Sequence, residues 1–433
     1  MRRIFLYIVI IAGVLMTHRV FAQNGTSSPF SRTAYGELND NVPNTFRAMG
    51  GVGIGMRNNK VICSAQPASY TACDSLTFMF DLGASVMWSR YQEGEGMRNR
   101  ANGNLEYITL QFPLYKRYVA FSAGVLPYSA VGYDITLSDS LNSDCHFTKS
   151  YTGEGGISEV YGGLSFNIMN WMAVGANIYY MFGNVTNSNS LTFTEAGYTP
   201  VYMVDALNVS SVRFRIGAQL FHEFEHHSFV VGAIFEPKYK LNSQYGKIES
   251  SLLDSVYYSE EDPNFKSELP MQYGVGASYT WDKRLTLAFD YSRQCFADVA
   301  YMTQGTGVLK DRSKYAIGAE YRHNPMGRNY AERMQWRVGA NISDSYVQSI
   351  NTKDFTVSVG FGFPLRNAGT VFNATVEYGH RGNKQTLEEH YMRLTLNASI
   401  AENQSLAVSI RNSAATRAAI AITTRKTTNK SMW

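Results

Sequence analysis

The chain of 433 residues is 45% apolar, 13% aromatic and only 17% charged, with 36 glycines and 29 tyrosines. That composition excludes disorder, collagen and coiled coil, and its charged share lies well below the roughly 25% of soluble domains. With the three arginines of residues 1–22 set aside the charge is close to neutral, which argues against a nucleic-acid partner, because phosphate neutralisation needs a basic stripe.

Met1, Arg2 and Arg3 precede an apolar run from Ile4 to Met16, and Val20-Phe21-Ala22 sets small residues at the -3 and -1 cleavage positions. Residues 1–22 therefore predict a secretory signal peptide, with Gln23 as the first mature residue. The run is too short to cross a bilayer core of about 30 Å as a helix, and no other unbroken apolar run of about 18 residues occurs. Residues 23–75 are rich in Gly, Asn and Ser and show no strand pattern of their own.

From residue 76 the sequence alternates with period two, so successive side chains fall on opposite faces. Leu285, Leu287, Phe289 and Tyr291 share one face, and Thr286, Ala288, Asp290 and Ser292 the other. Fourteen such segments are predicted, at 76–90, 104–115, 117–127, 158–168, 170–182, 211–224, 228–240, 271–281, 285–294, 313–323, 333–343, 354–364, 369–381 and 387–400. Short connections interleave with long ones, which is the pattern of an outer-membrane barrel with periplasmic turns and external loops. A soluble β-sandwich would also alternate. Against it stand strands about twice the soluble length, an even strand count, and Trp171, Trp281 and Trp336 beside short turns, where an interfacial belt would place them. The fold class is thus all-β: a transmembrane antiparallel barrel of about fourteen strands over residues 76–400, preceded by a lumenal plug at 23–75. Residues 401–433 form a basic tail with five basic residues against one acid.

Four cysteines occur without metal-type spacing. Cys63 and Cys73 could pair in an oxidising compartment, and the sequence leaves both states open. His222-Glu223-Phe224-Glu225-His226 matches H-E-x-x-H, yet its β-patterned flanks would hold the histidines roughly 13 Å apart at 3.3 Å per residue, so a polar turn is expected. Gly50-Gly51-Val52-Gly53-Ile54-Gly55 lacks the strand-turn-helix frame of a phosphate loop, and its glycines read as close-approach positions in the plug. Asp290, Glu320, Arg322, Glu377 and Arg393 face inward, as charges lining a wet lumen do. No nucleophile elbow or cofactor motif is found, and neither enzyme activity nor a cofactor is expected.

Four stretches together resemble the FadL/TodX-type outer-membrane transporters in the form common in Bacteroidetes: Ser28-Pro29-Phe30-Ser31, Arg47 to Gly55, Gln66-Pro67-Ala68-Ser69, and Gly124-Val125-Leu126-Pro127-Tyr128. The resemblance covers roughly 28–400. It implies fourteen strands, a hatch built on Arg47, Gly50, Gly51, Gly53, Gly55, Gln66, Pro67 and Ala68, and uptake of hydrophobic small molecules, fatty-acid-like or aromatic, through a gap at a kinked third strand. Two departures stand out. Gln66 replaces the usual hatch Asn, and residues 401–433 follow the last strand. Proline cannot donate a ladder hydrogen bond, so pairing is expected to break at Pro127. Pro127, Tyr128, Ser129 and Ala130 should then border a lateral opening filled by the hatch or a ligand; the alternative is that Pro127 merely ends the strand. The expected partners are outer-membrane lipid and a hydrophobic ligand. A second reading makes the barrel a docking or shuttle subunit of an outer-membrane secretion or assembly complex, with other outer-membrane proteins as partners.

Overall fold

The computed structural model describes residues 25–403, apart from 76, 95, 141–145, 196–197, 252–257, 262–266, 302–308, 325–326, 349–351, 366–368 and 384–386. The signal-peptide expectation, Cys145 and the tail beyond Asn403 lie outside the described residues. Fourteen antiparallel wall strands run in chain order: β1 (Thr77–Glu93), β2 (Gly96–Tyr115), β3 (Val119–Ser140), β4 (His146–Met169), β5 (Met172–Phe193), β6 (Val201–Glu223), β7 (His227–Glu236), β8 (Met271–Trp281), β9 (Leu285–Cys295), β10 (Arg312–Arg322), β11 (Gln335–Asp344), β12 (Lys353–Pro364), β13 (Val371–Gly382) and β14 (Glu388–Asn403). Each pairs with its neighbour, and β14 closes on β1 from Glu388–Gln92 to Asn403–Thr77. That closure excludes a sandwich and leaves no wall edge unpaired at the seam.

The outward face is apolar and exposed: Leu82, Val86, Ile178, Phe214, Val231, Leu287, Phe289, Ile317, Val338 and Leu396 all point away from the protein. The apolar side of each alternation is thus turned to lipid, and the protein sits in the outer membrane. Trp171, Trp281 and Trp336 lie about half exposed at the short-turn end, the periplasmic end in barrels of this class. The turns are tight there. Asp282 and Lys283 take left-handed φ of 51° and 55° between the paired residues Trp281 and Leu285. His222 and Glu223 end β6 and His226 lies in the turn before β7, as the β-patterned flanks of the H-E-x-x-H match require.

All fourteen predicted segments are strands, but five, β2 to β6, are longer than expected by eight residues or more. The spans 128–157 and 183–210, expected as loops, are mostly strand: β3 and β4 pair to Ser140–His146, and β5 and β6 pair from Leu191–Val201 inward. Polar alternation above an apolar band has no membrane to bury against, so it reads as loop although its ladder continues. Ser243–Ser251, in the third expected loop, pairs with the outer part of β6. β14 ends at Asn403, three residues past the expected boundary.

The segment 25–75 is built of short pieces: a 3-10 turn Pro29–Arg32, a two-residue strand Glu37–Leu38, a helical turn Asn44–Arg47 and a 3-10 helix Pro67–Ala72. Such elements leave no periodicity in a sequence. Phe46, Met49, Val52, Met56 and Cys63 pack with Ala288 of β9 and Ala316 of β10. Cys63 and Cys73 are free and buried in different clusters, so the disulfide does not form. Burial pushes the Cys63 thiol up to about 12, the state of an inert core thiol.

Candidate functional site

The ladder between β2 and β3 runs from Tyr115–Val119 to Ile108–Val125 and stops. Beyond it β2 pairs only with β1, and β3 only with β4 on the wall. Pro127 marks the divergence. With β2 gone, its missing N–H forfeits no ladder bond on that side. The β3–β4 register slips between Pro127 and Ser129, leaving Tyr128 as a bulged, buried residue. The strand therefore continues past Pro127 on one side and is unpaired by the wall on the other.

The N-terminal segment occupies that unpaired side. Glu37 and Leu38 pair with Ala130 and Ser129, and the Asn39 amide donates to the Tyr128 carbonyl at 2.9 Å. On the other lip the Asn104 side chain donates to the Gly25 carbonyl. Behind the gap lies a cavity of about 490 Å³ whose lining includes Leu38, Pro127, Ser129, Ala130 and Gly155 together with Arg381. A second cavity of about 950 Å³ opens at the short-turn end among Arg57, Lys60, Asp74, His226 and Glu320. Val42 lines the first and Met56 the second, and both belong to one apolar cluster of the 25–75 segment.

Charge holds the segment to the wall. Glu37 meets Arg381 of β13 at 2.7 Å and accepts from Thr26 at 2.9 Å. Burial alone would raise its pKa, but Arg381 and Arg393 outweigh that and hold the carboxyl well below the usual range. Asp40 lies 3.0 Å from Arg312 and 2.7 Å from Lys314, which overcome burial in the same way. Ser28 donates to Glu389 of β14 at 2.8 Å.

The expected hatch residues all lie against inward-facing groups. Arg47 is 3.2 Å from Glu106 of β2 and 3.8 Å from Glu377 of β13. Gly50 takes φ +75°, where a Cβ would meet the Ala340 carbonyl oxygen at 2.5 Å, and Gly51 also has positive φ. The amides of Gly53, Ile54 and Gly55 donate to Asp290 at 2.6, 2.7 and 3.1 Å. The glycine run that resembles a phosphate loop therefore cradles a wall carboxylate with successive backbone N–H groups. Gln66, in place of the usual Asn, sends its amide to the carbonyls of Ile54, Ala218 and Ala233 at 3.2 to 3.4 Å, joining the segment to β6 and β7. Pro67 fits a notch left by Gly175 and Gly217, and the Ala68 carbonyl accepts from Arg57 and Ser165.

One cluster escaped the sequence reading. Arg213 of β6, almost wholly buried, grips Glu159 of β4 with contacts of 2.7 and 2.9 Å and Glu236 of β7 at 2.6 Å, while Arg215 meets Glu236 at 3.1 Å. Asn41 donates to Glu159 at 2.6 Å, and Arg213 stacks 3.9 Å over Tyr179. Arg213 and Arg215, two apart on an inward face, were the available signal. The inward charges singled out from the sequence are paired likewise: Glu320 lies 2.7 Å from Arg337 and 3.0 Å from Arg322, and Arg393 3.8 Å from Glu377.

A family model described as BamG matches residues 1–404. No curated protein sequence is a significant match. Among solved structures, a FadL homologue of Pseudomonas aeruginosa superposes with TM-score 0.58 at 11% identity, over 86% of this chain and 100% of that one. The toluene transporter TodX of Pseudomonas putida gives 0.56 at 14%, over 86% and 100%, and the toluene transporter TbuX of Ralstonia pickettii 0.56 at 14%, over 83% and 98%. The fold is that of the FadL-type outer-membrane channels.

Proposed function

The chain belongs to the BamG family, and on that footing we propose that it is an outer-membrane channel admitting hydrophobic small molecules, aromatic or fatty-acid-like, through the wall between β2 and β3, with residues 25–75 as its hatch. The parting of β2 from β3 above Val125 carries this reading. In lipid, unpaired backbone is tolerated only where protein or a ligand covers it, and here two paired residues of the segment supply the cover. A molecule that leaves sideways need not cross the polar chambers, which suits an apolar cargo. Pro127, Tyr128, Ser129 and Ala130 form the lip, and the contacts of Arg47, Gly50, Gly51, Gly53, Gly55, Gln66, Pro67 and Ala68 hold the hatch. The structures named as toluene transporters support the cargo class, and the form common in Bacteroidetes is part of the same proposal.

Leu38 and Ser129 stand opposite each other in register, so Leu38→Cys with Ser129→Cys, in a background where Cys145 and Cys295 are serine, ties the hatch to the lip. Uptake of labelled toluene and palmitate should fall when the pair is oxidised and return on reduction. Unchanged uptake in the oxidised form removes the route.

A second reading, a docking subunit of an outer-membrane complex, is favoured by the long β3–β4 and β5–β6 hairpins, which carry ordered ladder well beyond the apolar band. Purification in mild detergent separates the two: stoichiometric protein partners that survive oxidation of the same cysteine pair favour docking, and a lipid or detergent molecule in the cavity favours transport.

A further inference from the structure

At the outer end of the barrel, on the face opposite the hatch contacts, three ligating side chains converge. His380 of β13 and His390 of β14 are direct cross-strand partners, and both share the outward face with Tyr378 and Met392, since Gly379, Arg381 and Tyr391 alternate inward. Glu388, two residues before His390, lies between the rings. His380 Nε2 is 2.8 Å and His390 Nε2 3.4 Å from the same Glu388 Oε1, and the ligating atoms of all three residues lie within 4.8 Å of one another. Glu388 is nearly buried beneath two half-exposed imidazoles. Tyr378 lies 2.8 Å from His390 Nδ1, leaving Nε2 as the nitrogen turned to the cluster.

We propose that His380, Glu388 and His390 bind a divalent transition-metal ion of the zinc class at the outer rim of the barrel. Two imidazoles and one carboxylate are the donor set such ions take, at about 2.0 to 2.2 Å per bond. Bonds of that length around a tetrahedral ion set neighbouring ligand atoms about 3.4 Å apart, the His390–Glu388 separation already present. The remaining atoms need to shift by an ångström or so, within reach of half-exposed rings. Tyr378 supplies the outer hydrogen bond that fixes a ligating imidazole, and the fourth position opens to solvent. Hard ions such as Mg2+ and Ca2+ prefer all-oxygen sites and are not expected to compete. The ion would join β13 to β14 at the point where, on the inner face, Arg381 and Glu389 hold Glu37 and Ser28 of the N-terminal segment.

The test uses the full-length protein in detergent micelles, stripped with chelator and titrated with ZnCl2 by calorimetry, and with CoCl2 by visible absorption. One Zn2+ per chain, four-coordinate Co2+ bands and no response to Mg2+ are expected. The His380→Ala and His390→Ala variants should each bind at least about 10-fold more weakly, and Tyr378→Phe less severely so. Variants are scored only if they keep heat-modifiable gel migration. Zn2+ should also raise the unfolding temperature of the wild type and not of the double-histidine variant, as binding to the folded state requires. Substoichiometric binding, or equal affinity in the double-histidine variant, overturns the site.

Discussion

Asp290 and Arg213 show how the interior is organised residue by residue. Asp290 sits in an inward alternation that the sequence displays, but its partners are three consecutive amides of a distant glycine run. Backbone donors carry no residue identity, so this pairing was not legible. Arg213 differs in kind, because its guanidinium divides between carboxylates on two different strands, β4 and β7, and a tyrosine face. Removing one member of a buried ionic group leaves the others uncompensated, typically at about 3–5 kcal/mol. Arg213→Met should therefore lower the barrel's stability to urea in micelles by that order, with Glu159 and Glu236 stranded. Arg213→Lys should fall between, since an ammonium is a point charge without the planar fork. A methionine variant as stable as the wild type would show that water entering the lumen compensates both carboxylates.

At the scale of elements, the wall was legible and the N-terminal segment was not. Period-two alternation marks every wall strand because one face meets lipid and the other a polar interior, and that contrast fades only where β2 to β6 rise above the apolar band. Pro127 was legible as a break because proline chemistry is local. The covering strand was not: Glu37 and Leu38 form two residues of ladder, and Glu37 finds Arg381 across 344 positions of chain. The salt bridges of Glu37 and Asp40 give this segment a pH dependence whose direction follows from their lowered pKa values. A carboxyl depressed in the folded state stabilises fully above its unfolded pKa, about 4 for these residues. That contribution is lost as pH falls below it toward the folded value. Attachment should thus be constant from neutral pH to about 4 and weaken only in stronger acid. Protease cleavage within residues 25–75 of the inserted protein reports it, and Glu37→Gln with Asp40→Asn should raise cleavage at neutral pH. An equal increase between pH 7 and pH 5 in the wild type would show that other groups hold the segment.

The whole molecule is defined by closure. β14 pairs with β1 along its full length, and the last pair, Asn403–Thr77, lies at the periplasmic end where the chain entered the wall. Fourteen strands satisfy every neighbour without residues 404–433, and the BamG match ends at residue 404 as well. A closed barrel resists cold detergent because its backbone groups are paired within the wall. A chain ending at Asn403 should therefore insert and keep heat-modifiable migration at the wild-type temperature. Ending it at Ile400 removes the pairs of Ala401, Glu402 and Asn403 with Met79, Phe78 and Thr77, and with them the ladder that starts β1. That shorter chain should insert but convert at a lower temperature, because the seam then opens from its periplasmic end. If the Asn403 truncation failed to insert while the full chain succeeded, residues 404–433 would have to act in assembly itself, because the finished wall leaves them no pairing to complete.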